Sequence, residues 1–197
     1  MYGASLTVSG HLNAFPERLF EQFSLIGGSQ GARVWNQKVP VAIARLGTAA
    51  VEVLHQTGIK GAEAVTTLYR EHRIEARVTP FIDDMAAAYA WADLAVCRSG
   101  ALTVAELSAA GLGALLVPFA SAVDDHQTAN ARFLVEQGAA LLLPQSSATP
   151  VVLAEALGDM VKERGLLLGM ARNARSLARP DAADLVADVC LAAGGLP

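Results

Sequence analysis

The chain has 197 residues, 53% of them hydrophobic and 17% charged, which is enough apolar material to fill the core of one domain. The net charge of −4 and the scattered Lys and Arg residues argue against a nucleic-acid-binding protein. Cys97 and Cys190 form no Cys-x-x-Cys pair, so we expect a reducing compartment, no metal site and no cofactor. With no signal peptide and no apolar run of about 20 residues, we expect a soluble or at most peripheral protein.

Short apolar runs alternate with helical patterns from residue 23 onward. The runs predict six buried strands: Phe23–Ile26, Val51–Gln56, Arg77–Thr79, Leu94–Cys97, Ala114–Val117 and Ala140–Leu143. Between them we predict a helix from Gly31 to about Arg45 and four more: Gly61–His72, Asp84–Trp91, Leu102–Ala110 and His126–Gln137. Buried strands that each lead into a helix indicate an α/β fold, a Rossmann-like, doubly wound parallel sheet.

The two ends of the chain differ from this alternating part. Three further helices, with no strand between them, are predicted as a helical C-terminal tail: Pro150–Val161, Glu163–Leu177 and Asp181–Ala193. Residues 1–22 show no clear period, and we interpret them as a linker or partial strand. We therefore expect one domain, residues 23–197.

Ligands of open parallel sheets bind at the carboxyl ends of the strands, so the loops that follow the strands deserve most weight. The first loop is Gly27-Gly28-Ser29-Gln30-Gly31, where glycines and a helix N-terminus suit a phosphate and Ser29 adds a hydroxyl. A tight glycine turn against the sheet is the alternative. The second strand ends in His55-Gln56, without the acidic residue that binds an NAD ribose, which disfavours a nicotinamide oxidoreductase.

The second loop, Pro80 to Met85, places apolar side chains at a strand end. Phe81 and Ile82 are suited to flank a flat base, with backbone groups of Ile82 at its edge. The alternative is a helix start capped by Asp83 or Asp84.

The third loop runs from Arg98 to Thr103, and Glu106 follows one turn later. Thr103 and Glu106 are three residues apart and therefore share a helix face. The hydroxyl and the helix N–H groups suit a phosphate, and the carboxylate suits both hydroxyls of a ribose. A capping box, Thr-x-x-Glu, is the alternative interpretation.

The fourth loop, Ala120–Asn130, contains several hydrogen-bonding side chains. His126, Gln127 and Asn130 lie within about one helical turn and suit the recognition of sugar hydroxyls, although a single histidine at a helix start is often structural. The adjacent Asp124 and Asp125 suggest either a metal or an N-cap. No Asp-x-Asp motif occurs in the chain, so a metal-bridged diphosphate is not expected.

Together the four loops resemble the MurG family, bacterial transferases that add N-acetylglucosamine to the lipid-linked muramyl-pentapeptide precursor of peptidoglycan. The likeness extends from about Leu25 to the C-terminus and includes Gly27–Ala32, Phe81–Ala86, Arg98–Thr103 with Glu106, and His126-Gln127 with Asn130. It implies the C-terminal donor-binding domain of a GT-B fold and an inverting hexosyltransferase. The implied partners are UDP-N-acetylglucosamine and the lipid-linked acceptor, at the cytoplasmic face of the inner membrane.

The resemblance also assigns roles to single residues. Uracil is expected at the Ile82 backbone, the ribose at Glu106, and the diphosphate at Thr103 and Ser29. The expected substrate-binding residues are Ser29, Gln30, Phe81, Ile82, Met85, Arg98, Ala101, Leu102, Thr103, Glu106, His126, Gln127 and Asn130. No residue is assigned as catalytic.

Members of the family are nearly twice as long, and their N-terminal domain carries the acceptor site, the proposed base and a membrane-facing patch. The acceptor is therefore expected to bind through that missing domain or through a partner chain. One alternative is a subunit of a split transferase, and another is a UDP-sugar-binding protein without catalytic activity.

Overall fold

The computed structural model describes residues 21–26, 32–47, 51–119 and 125–194. The strands are β1 (Glu21–Ile26), β2 (Val51–Gln56), β3 (Ala76–Thr79), β4 (Leu94–Cys97), β5 (Ala114–Leu116) and β6 (Ala140–Leu142). The helices are α1 (Ala32–Arg45), α2 (Ala62–Glu71), α3 (Met85–Trp91), α4 (Ala101–Ala110), α5 (His126–Val135), α6 (Pro150–Lys162), α7 (Arg164–Ser176) and α8 (Ala182–Gly194).

The six strands form one sheet in the order β3-β2-β1-β4-β5-β6, and every neighbouring pair is parallel. This is the strand order of a doubly wound Rossmann sheet, in which β1 to β3 extend the sheet to one side and β4 to β6 extend it to the other, so that the switch point lies between β1 and β4. The predicted fold class is therefore confirmed. The boundaries moved by at most two residues, because the first and last turns of helices and the ends of strands carry weak sequence signals.

The sheet separates two apolar clusters, because successive side chains of a strand point to opposite faces. On the first face, Val96 and Leu115 pack with residues of α1, α2 and α6. On the second face, Cys97 and Leu116 pack with residues of α3, α4 and α5. Ala95 and Ala114 also belong to the second cluster, and these short side chains let the helices of that face lie close to the sheet.

The C-terminal end of α4 is fixed by the residue that follows it and by α7. Gly111 has a φ of +66°, a left-handed conformation that glycine adopts without a steric penalty. Its N–H donates to carbonyls of the last turn, as in a helix C-cap. The Arg175 side chain of α7 donates to the carbonyl of Ala109. These contacts fix the axis of α4, whose other end lies at the candidate site.

Helix α8 differs from the rest of the tail. None of its residues is buried, although Leu185, Val186 and Val189 are apolar and exposed. In contrast, α6 and α7 bury residues such as Leu157 and Met170 in the first cluster. Within the described part of the chain, no helix has both the length and the apolar character that crossing a membrane requires.

Candidate functional site

The crevice between β1 and β4 is where a doubly wound sheet binds its ligands. The loop after β1 carries Ser29 and Gln30, and both lie outside the described residues. The loop after β4 leads directly into α4, so the N-terminus of α4 lies at the switch point of the sheet.

The N-terminus of α4 has no capping side chain of its own. Its N-cap residue is Gly100, with an extended backbone. Thr103 therefore lies in the first turn and is not the N-cap, so the capping-box interpretation is wrong. Leu102 is 80% exposed and Ala101 is also exposed, as expected of a helix start that faces solvent. N–H groups and a partial positive charge thus face the crevice.

Glu106 lies one turn further along α4 and is held by a residue of α3. The Tyr89 hydroxyl donates a 2.8 Å hydrogen bond to Oε2 of Glu106. Tyr89 is buried, and burial together with the nearby carboxylate raises the pKa of its hydroxyl far above the usual value. The phenol therefore stays protonated and acts as the donor, which leaves the remaining acceptor positions of the half-buried carboxylate for other partners.

The second loop joins β3 to α3 and exposes Phe81 while it buries Ile82. The Ile82 side chain packs against Leu54 and Ala88. Only its backbone is therefore placed to meet a ligand. Phe81 is 64% exposed, and its carbonyl accepts a 2.6 Å hydrogen bond from the hydroxyl of Thr79.

The predicted cap of α3 is present, since Asp84 accepts a 2.9 Å hydrogen bond from the N–H of Ala87. Met85 follows as the first residue of α3, where it is partly buried and packs against both the second cluster and the group formed by Leu54, Ile82 and Ala88. Beside this loop lies a cleft of about 460 Å³, lined in part by Arg77, Phe81 and Trp91.

Arg98, directly after β4, points into the protein. Its Nη1 donates to the carbonyls of Val117 and Pro118 at 2.9 and 3.0 Å. The guanidinium lies 4.9 Å from the ring centre of Trp35 and 5.2 Å from that of Phe119. Burial lowers the pKa of Arg98 to about 10, so the side chain stays a cation at neutral pH. Arg98 therefore positions the segment that follows β5.

Two hydrogen bonds join the fourth loop to the third, and another joins it to the segment after β5. The hydroxyl of Ser99 donates to the carbonyl of Gln127 at 2.7 Å, and Nδ2 of Asn130 donates to the carbonyl of Ser99 at 3.1 Å. Oε1 of Gln127 accepts a 2.9 Å bond from the N–H of Phe119. One end of the Asn130 amide thus fixes the start of α5 against the α4 loop, and one end of the Gln127 amide fixes it against the segment after β5.

His126 is exposed at the start of α5, next to Asp125 at the N-cap position. Asp125 has a φ of +48° and makes no capping hydrogen bond through its side chain. Asp124 lies outside the described residues. Among the residues that the structure describes, no group of three or more His, Cys, Asp or Glu side chains is placed to hold a metal ion.

These contacts bring three of the four predicted loops together. The Tyr89–Glu106 bond links the second loop, through α3, to α4, and the bonds of Ser99 link α4 to α5. Sequence reasoning missed Tyr89 and the positioning role of Ser99. A tyrosine in the Ala-rich α3 was the available signal, because a buried tyrosine hydroxyl requires a partner.

The class of protein follows from the sheet and from comparisons with solved structures. The chain superimposes on MurG from Acinetobacter baumannii with a TM-score of 0.80 and 43% identity, covering 86% of this chain and 49% of that one. The glycosyltransferase VinC, solved with dTDP, shares the fold at a TM-score of 0.59 and 19% identity, covering 91% and 42% of the two chains. The domain is a Rossmann-like α/β domain of the GT-B glycosyltransferase type.

The family model of the glycosyltransferase family 28 C-terminal domain matches residues 23–186, and the chain belongs to this family. Two relatives carry the name UDP-N-acetylglucosamine–N-acetylmuramyl-(pentapeptide) pyrophosphoryl-undecaprenol N-acetylglucosamine transferase. The protein from Marinobacter nauticus is 55% identical over 86% of this chain and 47% of its own length. That from Methylococcus capsulatus is 53% identical over 87% and 48%. The chain thus spans about half the length of these relatives.

Proposed function

We propose that this chain is the donor-binding half of an inverting glycosyltransferase. Its donor is UDP-N-acetylglucosamine, and the N-acetylglucosamine passes to a lipid-linked muramyl-pentapeptide in peptidoglycan synthesis. The named relatives supply the reaction, and the geometry around α4 supplies the binding mode.

The observation that carries the proposal is the pairing of an open helix N-terminus with a carboxylate one turn away. The start of α4 at Gly100 offers N–H groups and a partial positive charge, which stabilise a diphosphate. Glu106, held by Tyr89, offers acceptors for the two hydroxyls of a ribose. A nucleoside diphosphate presents a diphosphate and a ribose diol, which are the two groups that these features suit.

The base and the phosphates are assigned around this pair. Backbone groups of Ile82 bind the edge of uracil, with Phe81 and Met85 beside the ring. The Thr103 hydroxyl, in the first turn of α4, binds the diphosphate. Ser29 and Gln30 in the loop after β1 complete this side of the site by resemblance to the family.

The sugar is assigned to the space between α4 and α5. Ala101 and Leu102 are exposed at the start of α4. Gln127 keeps its side-chain nitrogen, and Asn130 its side-chain oxygen, for sugar hydroxyls, because the opposite end of each amide is already hydrogen-bonded. His126 is exposed beside this space. The buried Arg98 side chain holds the segment between β5 and α5 through its hydrogen bond to the carbonyl of Val117.

Transfer then proceeds by direct displacement at the anomeric carbon. An acceptor hydroxyl forms the new C–O bond on one face while the bond to the UDP oxygen breaks on the other. The negative charge that develops on UDP is stabilised by the helix dipole of α4 and by neutral donors. The base that takes the acceptor proton comes from the other half of the enzyme.

The acceptor half is the part of the relatives that this chain does not span. We propose that it lies in the same polypeptide or in a partner chain, and that the exposed apolar residues of α8 support such an association. Because the acceptor is lipid-linked, the assembled enzyme works as a peripheral protein at the cytoplasmic face of the inner membrane.

Calorimetric titration of the chain with UDP-N-acetylglucosamine tests the donor assignment. We expect saturable binding to one site, and we expect Glu106→Ala to weaken it by about tenfold or more, since a hydrogen bond to a charged group contributes about 1.5–3 kcal/mol. Glu155→Ala removes an exposed carboxylate of α6 and serves as the matched control, with unchanged affinity. Absence of binding, or equal binding by Glu106→Ala and wild type, contradicts the proposal.

A further inference from the structure

Tyr89 makes a specific polar contact from within the apolar cluster of the second face. Its side chain is only 5% exposed and packs among Cys97, Val104 and Leu107. The hydroxyl nevertheless reaches Oε2 of Glu106, 17 residues further along the chain. A phenylalanine would fill the same apolar space, so packing alone does not explain the hydroxyl.

The partner of this hydroxyl lies at the ligand-facing surface. Glu106 is half-buried near the open start of α4, and a glutamate has three side-chain torsions to order when it binds a ligand. Immobilising such a side chain costs about 0.5–1.5 kcal/mol. A donor fixed in the protein core removes most of that cost before the ligand arrives.

The electrostatics of the contact keep the Tyr89 hydroxyl as the hydrogen-bond donor and the Glu106 carboxylate as the acceptor. Burial raises the pKa of Tyr89 far above its usual value, so the phenol keeps its proton and donates a hydrogen bond to Glu106 over the whole physiological range. Burial and the Glu106 carboxylate also raise the pKa of Cys97 to about 12, which keeps this neighbouring thiol neutral. Glu106 therefore has a neutral donor on one side and no anionic competitor from Cys97.

We infer that Tyr89 is a positioning residue for nucleotide recognition, which holds the Glu106 carboxylate in the orientation that accepts both ribose hydroxyls. This inference rests on the proposed function, in which Glu106 binds the ribose. Since Tyr89 belongs to α3, which begins just after the Ile82 loop, the same contact also fixes the base-binding loop relative to the ribose-binding carboxylate.

Tyr89→Phe removes the hydroxyl and keeps the ring, and two ligands separate positioning from general damage. The chain is titrated with UDP and with 2′,3′-dideoxy-UDP, which lacks the hydroxyls that Glu106 accepts. We expect Tyr89→Phe to weaken UDP about three- to tenfold, the equivalent of one ordered side chain, and to leave dideoxy-UDP unchanged. Tyr69→Phe, which removes the hydroxyl of a buried tyrosine on the other face, is the matched control and should change neither affinity.

The outcomes distinguish this inference from the proposed function. If wild type binds UDP and dideoxy-UDP equally, the ribose contact of the proposed function is wrong. If wild type prefers UDP and Tyr89→Phe keeps the full preference, or weakens both ligands equally, Tyr89 does not position Glu106 and only this inference is wrong. Glu106→Asp, at a half-buried position, withdraws the carboxylate both from Tyr89 and from the ribose and should also lose the preference for UDP.

A double-variant cycle provides the final check. In a Glu106→Ala background the Tyr89→Phe change should have no further effect on UDP affinity, because the hydroxyl acts through the carboxylate. An additive loss in the double variant overturns the inference.

Discussion

Two buried tyrosines, one on each face of the sheet, make hydrogen bonds of similar length with different consequences. On the first face, the hydroxyl of Tyr69 lies 3.0 Å from Nδ1 of His55, and both residues are buried. On the second face, the hydroxyl of Tyr89 lies 2.8 Å from a carboxylate oxygen of Glu106, which is half-buried. The first pair is enclosed, whereas the second leads from the core to the open start of α4.

Under the proposed function, one kind of contact serves stability in one place and recognition in the other. The His55–Tyr69 pair satisfies two polar groups that would otherwise be buried without partners, so its removal should affect folding. The Tyr89–Glu106 pair leaves acceptor positions for a ligand, so its removal should affect binding more than folding. We therefore expect a tyrosine to stabilise the fold where its hydrogen-bond partner is buried, and to assist binding where its partner is accessible to solvent.

Arg98 lies outside both pairs, where it joins Trp35 of the first face to the segment after β5, and its loss should have the largest effect on stability. Arg98→Ala leaves the carbonyls of Val117 and Pro118 without their side-chain donor. It also creates a cavity beside the rings of Trp35 and Phe119. We expect the free energy of unfolding in urea to fall by about 3 kcal/mol or more.

Arg172→Ala, an exposed position of α7, is the control for Arg98→Ala and should change stability by less than about 0.5 kcal/mol. Equal stability of the two variants would show that Arg98 does not hold the segment after β5.

Acidification should destabilise the protein through His55 on the first face. Burial lowers the pKa of His55 to about 4, so between pH 6.5 and pH 4 the unfolded chain binds a proton that the folded chain does not. The free energy of unfolding should therefore fall as the pH falls through this window, by up to about 3 kcal/mol from this group. Urea unfolding of wild type and His55→Gln at several pH values measures it, and parallel curves would contradict the assignment.

Removing either tyrosine hydroxyl should lower the stability by a smaller amount, and the loss should differ between the two faces. Tyr69→Phe leaves the buried His55 nitrogen without its partner, so we expect a loss of about 1–3 kcal/mol in stability. Tyr89→Phe leaves a half-buried carboxylate that water can reach, and we expect a loss of about 1 kcal/mol or less. Thermal unfolding of both variants measures the difference, and the reverse order would invalidate the comparison.

Gln127 allows a structural hydrogen bond and a proposed sugar contact to be tested separately within one side chain. Gln127→Glu keeps an oxygen for the N–H of Phe119 but loses the amide donor, whereas Gln127→Ala loses both. We expect both variants to lose about three- to fivefold of the preference for UDP-N-acetylglucosamine over UDP, about the value of one neutral hydrogen bond. Only Gln127→Ala should lose stability. An unchanged preference in Gln127→Glu would remove the amide nitrogen from the sugar site.

The fold was predictable because short apolar runs alternate with longer helical patterns from residue 23 onward. Strands such as Leu94–Cys97 are apolar throughout, which indicates burial on both faces. The loops after the strands were predictable for the same reason, since parallel strands bring their carboxyl ends to one edge. Helix α8 was predicted as a helix and is one, but the exposure of its apolar residues was not predictable from the sequence. No described residue covers them.

The partners of side chains at the site were not predictable, because they come from distant parts of the chain. The resemblance to the family implied that Arg98 contacts the substrate, whereas its orientation toward Trp35 and Phe119 depends on packing between α1 and the segment after β5. Its contact with substrate stays a prediction. Likewise, Thr103 and Glu106 have the spacing of a capping box, but the helix begins at Ala101 and Tyr89 takes the carboxylate.

A crystal structure of the chain with UDP-N-acetylglucosamine tests the central claim most directly. The account predicts both ribose hydroxyls within about 2.5–3.0 Å of Glu106 oxygens, with the diphosphate at the start of α4. It also predicts uracil at the Ile82 backbone. A nucleotide bound away from the start of α4, with Glu106 still contacting only Tyr89, would contradict the account.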